Sequence, residues 1–497
     1  LDYEGSSSVS ALHITTPPHN PFPFKPFLFP HNVALKMSLP TETTCLLNPG
    51  SKTSNAQLSE RLKPSNTAPR NFYLLSVLFS ACHGCTVACL SLATARLGAV
   101  GAWQSSMLSL SYMISAMLGA TYLVKRLGAR NAIQQGMLLY CTYIASFWLA
   151  SGYPQVKAVS ALIGAAIGGL GAGVLWSAYL SYLSQAAKDF SREAGISLSD
   201  STSNLAGAFA FIYLTTEVFL RILSSGLAGF VSWRIIFGVY TLVAYTATFG
   251  MMFVKDYGND DENVPTSTLY KVTVTLQLLF SNRKMVYLVP LSATFGFTSA
   301  FINSYIDGEV IRVALHDEQS VYIGVLTAWI PLTAATTSLT LNKIRNRGLV
   351  IGGGALCFLL VVLPFVLQPD SAQWSVWGLL VIYSLQGIGR ATFEGPVKAV
   401  FVDFFSTETA GASSNISLHY GLANAIGNVL VYHLRCSHPS QHCVQYESDK
   451  TMHDILGFQV MICFVALAAI LGYFKAAAIH KKEQEESATS TVRTIDV

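Results

Sequence analysis

Arg390, Glu394 and Lys398 stand four residues apart inside a long apolar run, residues 374–402. Steps of four place all three on one helical face, drifting about 40° per step. One charge near the middle of a bilayer costs roughly 2.5–3.5 kcal/mol on insertion scales, so this face must line a cavity or meet partners. Arg390 falls near the middle of the run and Lys398 near its end, and Pro396 between them favours a kink. In chemical terms the set supplies an anion anchor in Arg390 and a titratable group in Glu394. The competing reading is an ion-pair ladder that locks the bundle, with Lys398 snorkelling to the surface.

Other polar groups sit inside apolar runs at helical spacing. Glu217 and Arg221 are four apart. Counting about 1.5 Å per residue from Asn204 sets Glu217 about 20 Å deep and brings Arg221 towards the outer interface, where it snorkels. Glu217 is the candidate of this pair. Tyr420, Asn424 and Asn428 form one stripe, and Asn415 with His419 an adjacent one. These groups bind a solute or hydrogen-bond between helices at roughly 0.6 kcal/mol each. His419 is a candidate proton relay, set against the commoner packing histidine.

The nine cysteines form no disulfide framework. Cys82-His83-Gly84-Cys85 has the look of a metal or redox motif, but it lies in an apolar run without a second ligand pair, and packing is the default. Cys436 and Cys443, among His433, His438 and His442, suit a disulfide in an oxidising compartment, against a metal or pH-sensing cluster. No P-loop or nucleophile–base pair appears, so no enzyme, cofactor or metal is expected.

The elements that must position these groups follow from composition. Hydrophobic residues make up 52% of 497 and charged residues 12%, and the charges avoid long stretches. A net charge of +4 is too small and too scattered to imply nucleic acid, so no nucleic-acid partner is expected. Crossing a bilayer takes roughly 20 apolar residues, and such runs fall at 71–95, 100–124, 131–150, 158–183, 204–223 and 235–254. Six more fall at 285–306, 321–341, 349–367, 374–402, 410–434 and 455–474. They lack a barrel's period-two alternation, so the fold class is an all-α integral membrane bundle of about twelve helices.

Basic residues orient it. With a cytosolic N-terminus, Lys52, Arg61, Lys63, Arg70, Lys125, Arg126, Arg130, Lys188, Arg192, Lys255, Lys271, Arg283, Lys284, Lys343, Arg345, Arg347, Lys475, Lys481 and Lys482 all fall inside. Outside remain only Arg96, Lys157, Arg234, Arg312, Arg435 and Lys450. The Pro-, Ser- and Thr-rich segment 1–68 reads as a disordered cytosolic tail, with Met37 the expected start. Six-helix bundles follow at 69–254 and 285–475, joined by a cytosolic linker at 255–284, and residues 476–497 form a second cytosolic tail. Within the linker, Leu269, Val272, Leu276, Leu279 and Phe280 lie at helical spacing, as in an amphipathic helix on the inner membrane surface.

The halves echo each other. Gly169-Leu-Gly171 matches Gly387-Ile-Gly389, the basic loop Lys125-Arg-Leu-Gly-Ala-Arg130 matches Lys343-Ile-Arg-Asn-Arg347, and Ser203-Asn204 matches Ser414-Asn415. A six-plus-six duplication with a cytosolic linker is the major facilitator architecture, whose site lies between the halves. In the fourth run, Gly164 with Gly168 and Gly169 with Gly173 are spaced for close helix packing.

That basic loop, the run Gly-Leu-Gly-Ala-Gly-Val-Leu-Trp-Ser-Ala at 169–178 and Gly-Ile-Gly-Arg-Ala-Thr-Phe-Glu at 387–394 resemble the uncoordinated-ninety-three family, a branch of the major facilitator superfamily. The resemblance spans roughly residues 70–475. It implies a two-bundle fold with either of two functions. One is secondary transport of a small solute or ion; the other is a regulatory or trafficking subunit for a channel or receptor partner. In facilitator transporters an aspartate precedes the arginine of the gate loop Lys125, Arg126 and Arg130. Here that position is Lys125, so the usual gate pairing cannot form the same way. Glu42-Thr-Thr-Cys-Leu46-Leu47 fits an acidic dileucine sorting signal. It points to an endosomal, lysosomal or vacuolar membrane, with the plasma membrane as the alternative.

Overall fold

The computed structural model describes residues 67–118, 120–257, 268–341, 344, 346–436, 440–446 and 451–495. The sorting pattern at Glu42, Leu46 and Leu47 lies outside the described residues, as do Lys343 and Arg345 of the second basic loop. In lipid every backbone amide must be satisfied within its own segment, and the apolar runs accordingly fold as helices. These are α1 (Thr67–Ser91), α2 (Ala99–Leu118), α3 (Ala129–Gly152), α4 (Lys157–Ala194), α5 (Leu198–Ala228) and α6 (Trp233–Gly250). They are followed by α7 (Arg283–Ala300), α8 (Tyr322–Leu341), α9 (Arg347–Leu367), α10 (Val376–Thr392), α11 (Thr409–His433) and α12 (Leu456–Ile495).

Among the described residues, eight helices are long and apolar enough to cross a membrane by length and composition. The other four expected crossings fall on α2, α3, α10 and α11, which do not meet that standard. Two of them, α10 and α11, hold the polar stripes.

Local chemistry sets the helix ends. Ser197 caps α5 by accepting from Asp200 N at 3.1 Å, and Asn282 caps α7 through Lys284 N and Met285 N. Gly195, at φ 65°, ends α4 in the left-handed conformation that costs glycine nothing.

The described residues refine three expectations. The seventh run was bounded at 306, but α7 continues through a π-helix, Phe301–Val310, into Ile311–Leu315. The tail at 476–497 is a continuation of α12 up to Ile495. Its residues include good helix formers, with Lys481–Glu485 and Lys482–Glu486 paired one turn apart. The linker helix, Thr268–Ser281, is docked on protein: Asn415 Nδ2 donates to Thr275 O at 3.0 Å, and Val274 and Leu278 are buried near Gly411.

The glycine echo has a common physical cause. A Cβ on Gly169 would meet Leu108 O of α2 at 2.3 Å, and one on Gly171 would meet Leu139 of α3 at 2.7 Å. A Cβ on Gly387 would meet Thr333 and Ile330 O of α8, and one on Gly389 would meet Phe358 of α9 at 2.3 Å. In each half the first glycine admits the second helix and the second admits the third. Gly164 and Gly168 likewise face Ser146 and Tyr143 of α3, while Gly173 faces Ser115 of α2.

The two ends of the bundle differ. At the end bearing the Cys436–Cys443 disulfide, earlier and later helices are joined. Thr94 Oγ1 donates to Ser304 Oγ at 3.4 Å, Val325 N to Ser225 Oγ at 2.9 Å, and Trp233 Nε1 to Gln319 O at 2.9 Å. One apolar cluster runs from Phe79 and Phe237 to Phe365, Tyr383 and Phe458. At the opposite end, where the basic α2–α3 loop lies, Met285, Phe295, Phe358, Phe401 and Tyr473 form a separate cluster. A short antiparallel pair, β1 (Cys443–Val444) and β2 (His453–Asp454), closes the α11–α12 connection.

Candidate functional site

The two charged pairs read separately in the sequence form one cluster. Arg390, on α10, reaches across to Glu217 on α5 with both ends of its guanidinium: Nη1 to Oε1 at 2.9 Å and Nη2 to Oε2 at 3.0 Å. This fork-on-carboxylate geometry gives the strongest charge-assisted hydrogen bonds. Nε donates to Glu394 Oε1 at 2.9 Å, one turn further on in the π-helix, Phe393–Val397, that continues α10. Arg221 Nη2 holds Glu217 Oε1 from its own helix at 3.0 Å. Glu217 is fully buried, and Arg221 is buried as well rather than snorkelling to the interface. The reason is α8: Gly324 lies against Arg221 O, close enough that a Cβ there would meet it at 2.1 Å.

The signs balance, two guanidiniums against two carboxylates, which is how a low-dielectric interior tolerates them. A neutral arm extends the cluster. Arg390 Nη2 also donates to Tyr213 Oη at 3.2 Å, and Tyr213 Oη lies 3.0 Å from His83 Nε2. In the tautomer that leaves Nε2 bare, Tyr213 donates to it. Sequence reasoning gave His83 little weight, yet it is tied to the site through Tyr213. Around His83 stand Tyr140, Trp176 and Tyr213, with ring centroids 5.1–5.7 Å away. This aromatic wall was missed; Phe209, Tyr213 and Glu217, each four apart, were its sequence signal.

The cluster has a wet side. Glu394 keeps 39% of its side chain exposed against 11% for Arg390 and none for Glu217. Lys398 is exposed one turn further on. The exposed face therefore runs from Arg390 towards the basic-loop end, where the two apolar clusters separate. Immediately after Arg390 the helix changes to a π-helix at Phe393–Val397, which contains Pro396. Such widened turns recur at functional sites, and proline removes the amide a regular turn would need.

Other expected residues lie elsewhere. His419 is buried, and neither of its ring nitrogens has a hydrogen-bond partner among the described residues. Asn424 accepts from Ser109 of α2 at 2.7 Å and donates to Gly296 O of α7 at 3.1 Å, joining three helices. Asn428 accepts from Ser304 at 2.6 Å. In the gate loop Lys125 and Arg126 are exposed, while Arg130 donates to Val254 O at 3.3 Å and faces Asp256 at 3.6 Å. Lys255 beside it pairs with Asp189 at 2.6 Å. Cys436 and Cys443 form a disulfide, Cys82 and Cys85 are buried free thiols, and His438 lies outside the described residues. No cluster of potential metal ligands occurs among the described residues.

Sequence and fold agree with known proteins. The Major Facilitator Superfamily model matches residues 72–428. The mouse protein unc-93 homolog A (Mus musculus) is 22% identical over 378 residues, covering 67% of this chain and 79% of that protein. Among solved structures, the nucleoside transporter NupG superposes with a TM-score of 0.59 at 13% identity, over 82% of this chain and 98% of NupG. The inward-open xylose transporter XylE from E. coli superposes at 0.56 and 13% identity, over 81% and 94%. At these identities the structural likeness concerns the fold.

Proposed function

The chain belongs to the Major Facilitator Superfamily and is a multi-pass integral membrane protein; from that premise we propose that it is a secondary transporter of a small solute or ion. In this reading two six-helix halves, 69–254 and 285–475, meet at the Arg390–Glu217 pair. The observation that carries it is the bidentate bond between charged residues of two different halves, buried on one side and continued on the other by half-exposed Glu394.

Alternating access requires the halves to part and re-pair about a central site. Glu394 gives Arg390 a second carboxylate within reach, so the guanidinium can loosen from Glu217 without standing bare in the membrane. A solute entering along the exposed face of α10 meets Glu394 and Lys398 first, then the aromatic wall of Tyr140, Trp176 and Tyr213. The hydrogen bonds that join the two halves at the disulfide end support access from the basic-loop end in this reading. Purified protein in proteoliposomes should show solute- or proton-dependent flux that Glu394→Gln reduces at least tenfold. A folded protein without flux for any solute class would overturn the proposal.

A second reading rests on a specific observation. Four of the five N–H donors of Arg390 are already used within the protein, by Glu217 twice, Glu394 and Tyr213. A cluster whose donors are nearly all occupied suits a brace, and the family resemblance read from the sequence implies a subunit that regulates or escorts a channel or receptor. Cross-linking in native membranes would then recover a stoichiometric membrane partner; recovery of the chain alone, together with flux, decides for transport. An endosomal, lysosomal or vacuolar membrane is the proposed residence, from the pattern at Glu42, Leu46 and Leu47.

A further inference from the structure

A second buried acid lies apart from the central cluster. Asp307, in the π-helix that prolongs α7, is 1% exposed. The Tyr383 hydroxyl of α10 donates to its Oδ1, and Oδ2 has no hydrogen-bond partner among the described residues. Tyr383 stands seven residues before Arg390 on the same helical face, about 10 Å along the axis towards the disulfide end.

Gln386, between them on α10, and Arg221 of α5 each hold a buried polar atom without a hydrogen-bond partner among the described residues. These atoms are Oε1 of Gln386, which is 3% exposed, and Nε of Arg221, which is 9% exposed. Native interiors leave few polar atoms unpaired, so each of these calls for a partner: a water or, at a carboxylate oxygen, a proton. The π-helix at Asp307 is an independent mark of a functional place.

The groups around Asp307 can be named by element. Tyr383 faces it from α10 and Arg221 acts on it from α5. On its own helix Glu309 is held by Arg312, with Nη2 at 2.5 Å from Oε1. Beside Asp307, Gly308 lies against Thr94 of the α1–α2 connection and Tyr446 of the α11–α12 connection. Burial holds the Tyr446 phenol well above its ordinary value, so it stays neutral. No ion pair joins a basic group to Asp307 among the described residues, and Arg221 spends its direct contact on Glu217.

We propose that Asp307 is a proton-binding site, with Tyr383 as its positioning hydrogen-bond donor, set in the junction that closes the disulfide end. A buried carboxyl without a cation beside it is neutralised most cheaply by a proton. The step is a simple binding: one proton from water joins Oδ2, Tyr383 stays on Oδ1, and the site becomes neutral. The proton leaves as it came, when Ser304 and Gly308 part from Thr94 and water reaches the carboxyl. This site is independent of whether the bundle carries a solute, so a flux experiment can fail without touching it.

Infrared difference spectroscopy on the full chain in detergent or lipid, at neutral pH, tests it through the carbonyl stretch that a protonated carboxylic acid has and a carboxylate lacks. The expected result is such a band in the unaltered protein that disappears in Asp307→Asn. Spectra of the two proteins that match in this region would overturn the proposal. Should Asp307→Asn fail to fold, Tyr383→Phe decides: loss of one hydrogen bond shifts the band to higher frequency, and an unmoved band counts against the site.

Discussion

Glu217 and Asp307 are both buried acids within the membrane-spanning part of the chain, yet they are treated oppositely. Glu217 is gripped by two guanidiniums, one from its own helix and one from α10. Among the described residues Asp307 has a single neutral hydroxyl on Oδ1 and no partner for Oδ2. Isolated charge is intolerable in this interior, so an acid there must be matched by a cation or must take a proton. Glu217 follows the first route and ties two helices together. Asp307 follows the second in our proposal, and owes its neighbours much less.

The difference is measurable. Glu217→Gln leaves Arg390 and Arg221 buried without their shared anion, and breaking such a group costs about 3–5 kcal/mol. The unfolding midpoint in detergent should fall accordingly; a midpoint within a degree or two of the unaltered protein would mean that the pair does not hold α5 to α10. Asp307→Asn keeps an acceptor for Tyr383 and removes only an ionisable oxygen. Its cost should stay within about 1 kcal/mol, since a neutral carboxyl and an amide of the same shape exchange nearly evenly. A loss as large as that of Glu217→Gln would place Asp307 among the paired charges and end the comparison.

Much of this was legible in the chain. Apolar run length gave the helices, and four-residue spacing gave Arg390 with Glu394 and Glu217 with Arg221. What spacing could not give was their meeting, because helical periodicity says nothing about register between helices 173 residues apart in sequence. Arg221 was assigned to the interface by counting rise alone, and the close approach of α8 at Gly324 keeps it inside. Asp307 was missed because the apolar run appeared to stop one residue earlier. The signal was Tyr383, about two turns ahead of Arg390 on the same helix face. The fourth-run glycines read as packing residues do pack closely, and the contacts of Gly169 with α2 and of Gly387 with α8 give the echo between the halves a physical reason.

The account depends on one contact above all, the bridge from α5 to α10. A double-mutant cycle of Glu217→Gln, Arg390→Gln and the combined variant, read by thermal unfolding, isolates it. The account predicts strong coupling: the combined variant should be more stable than Glu217→Gln alone, because removing the second charge relieves the first. Strictly additive losses would contradict the bridge and, with it, the site.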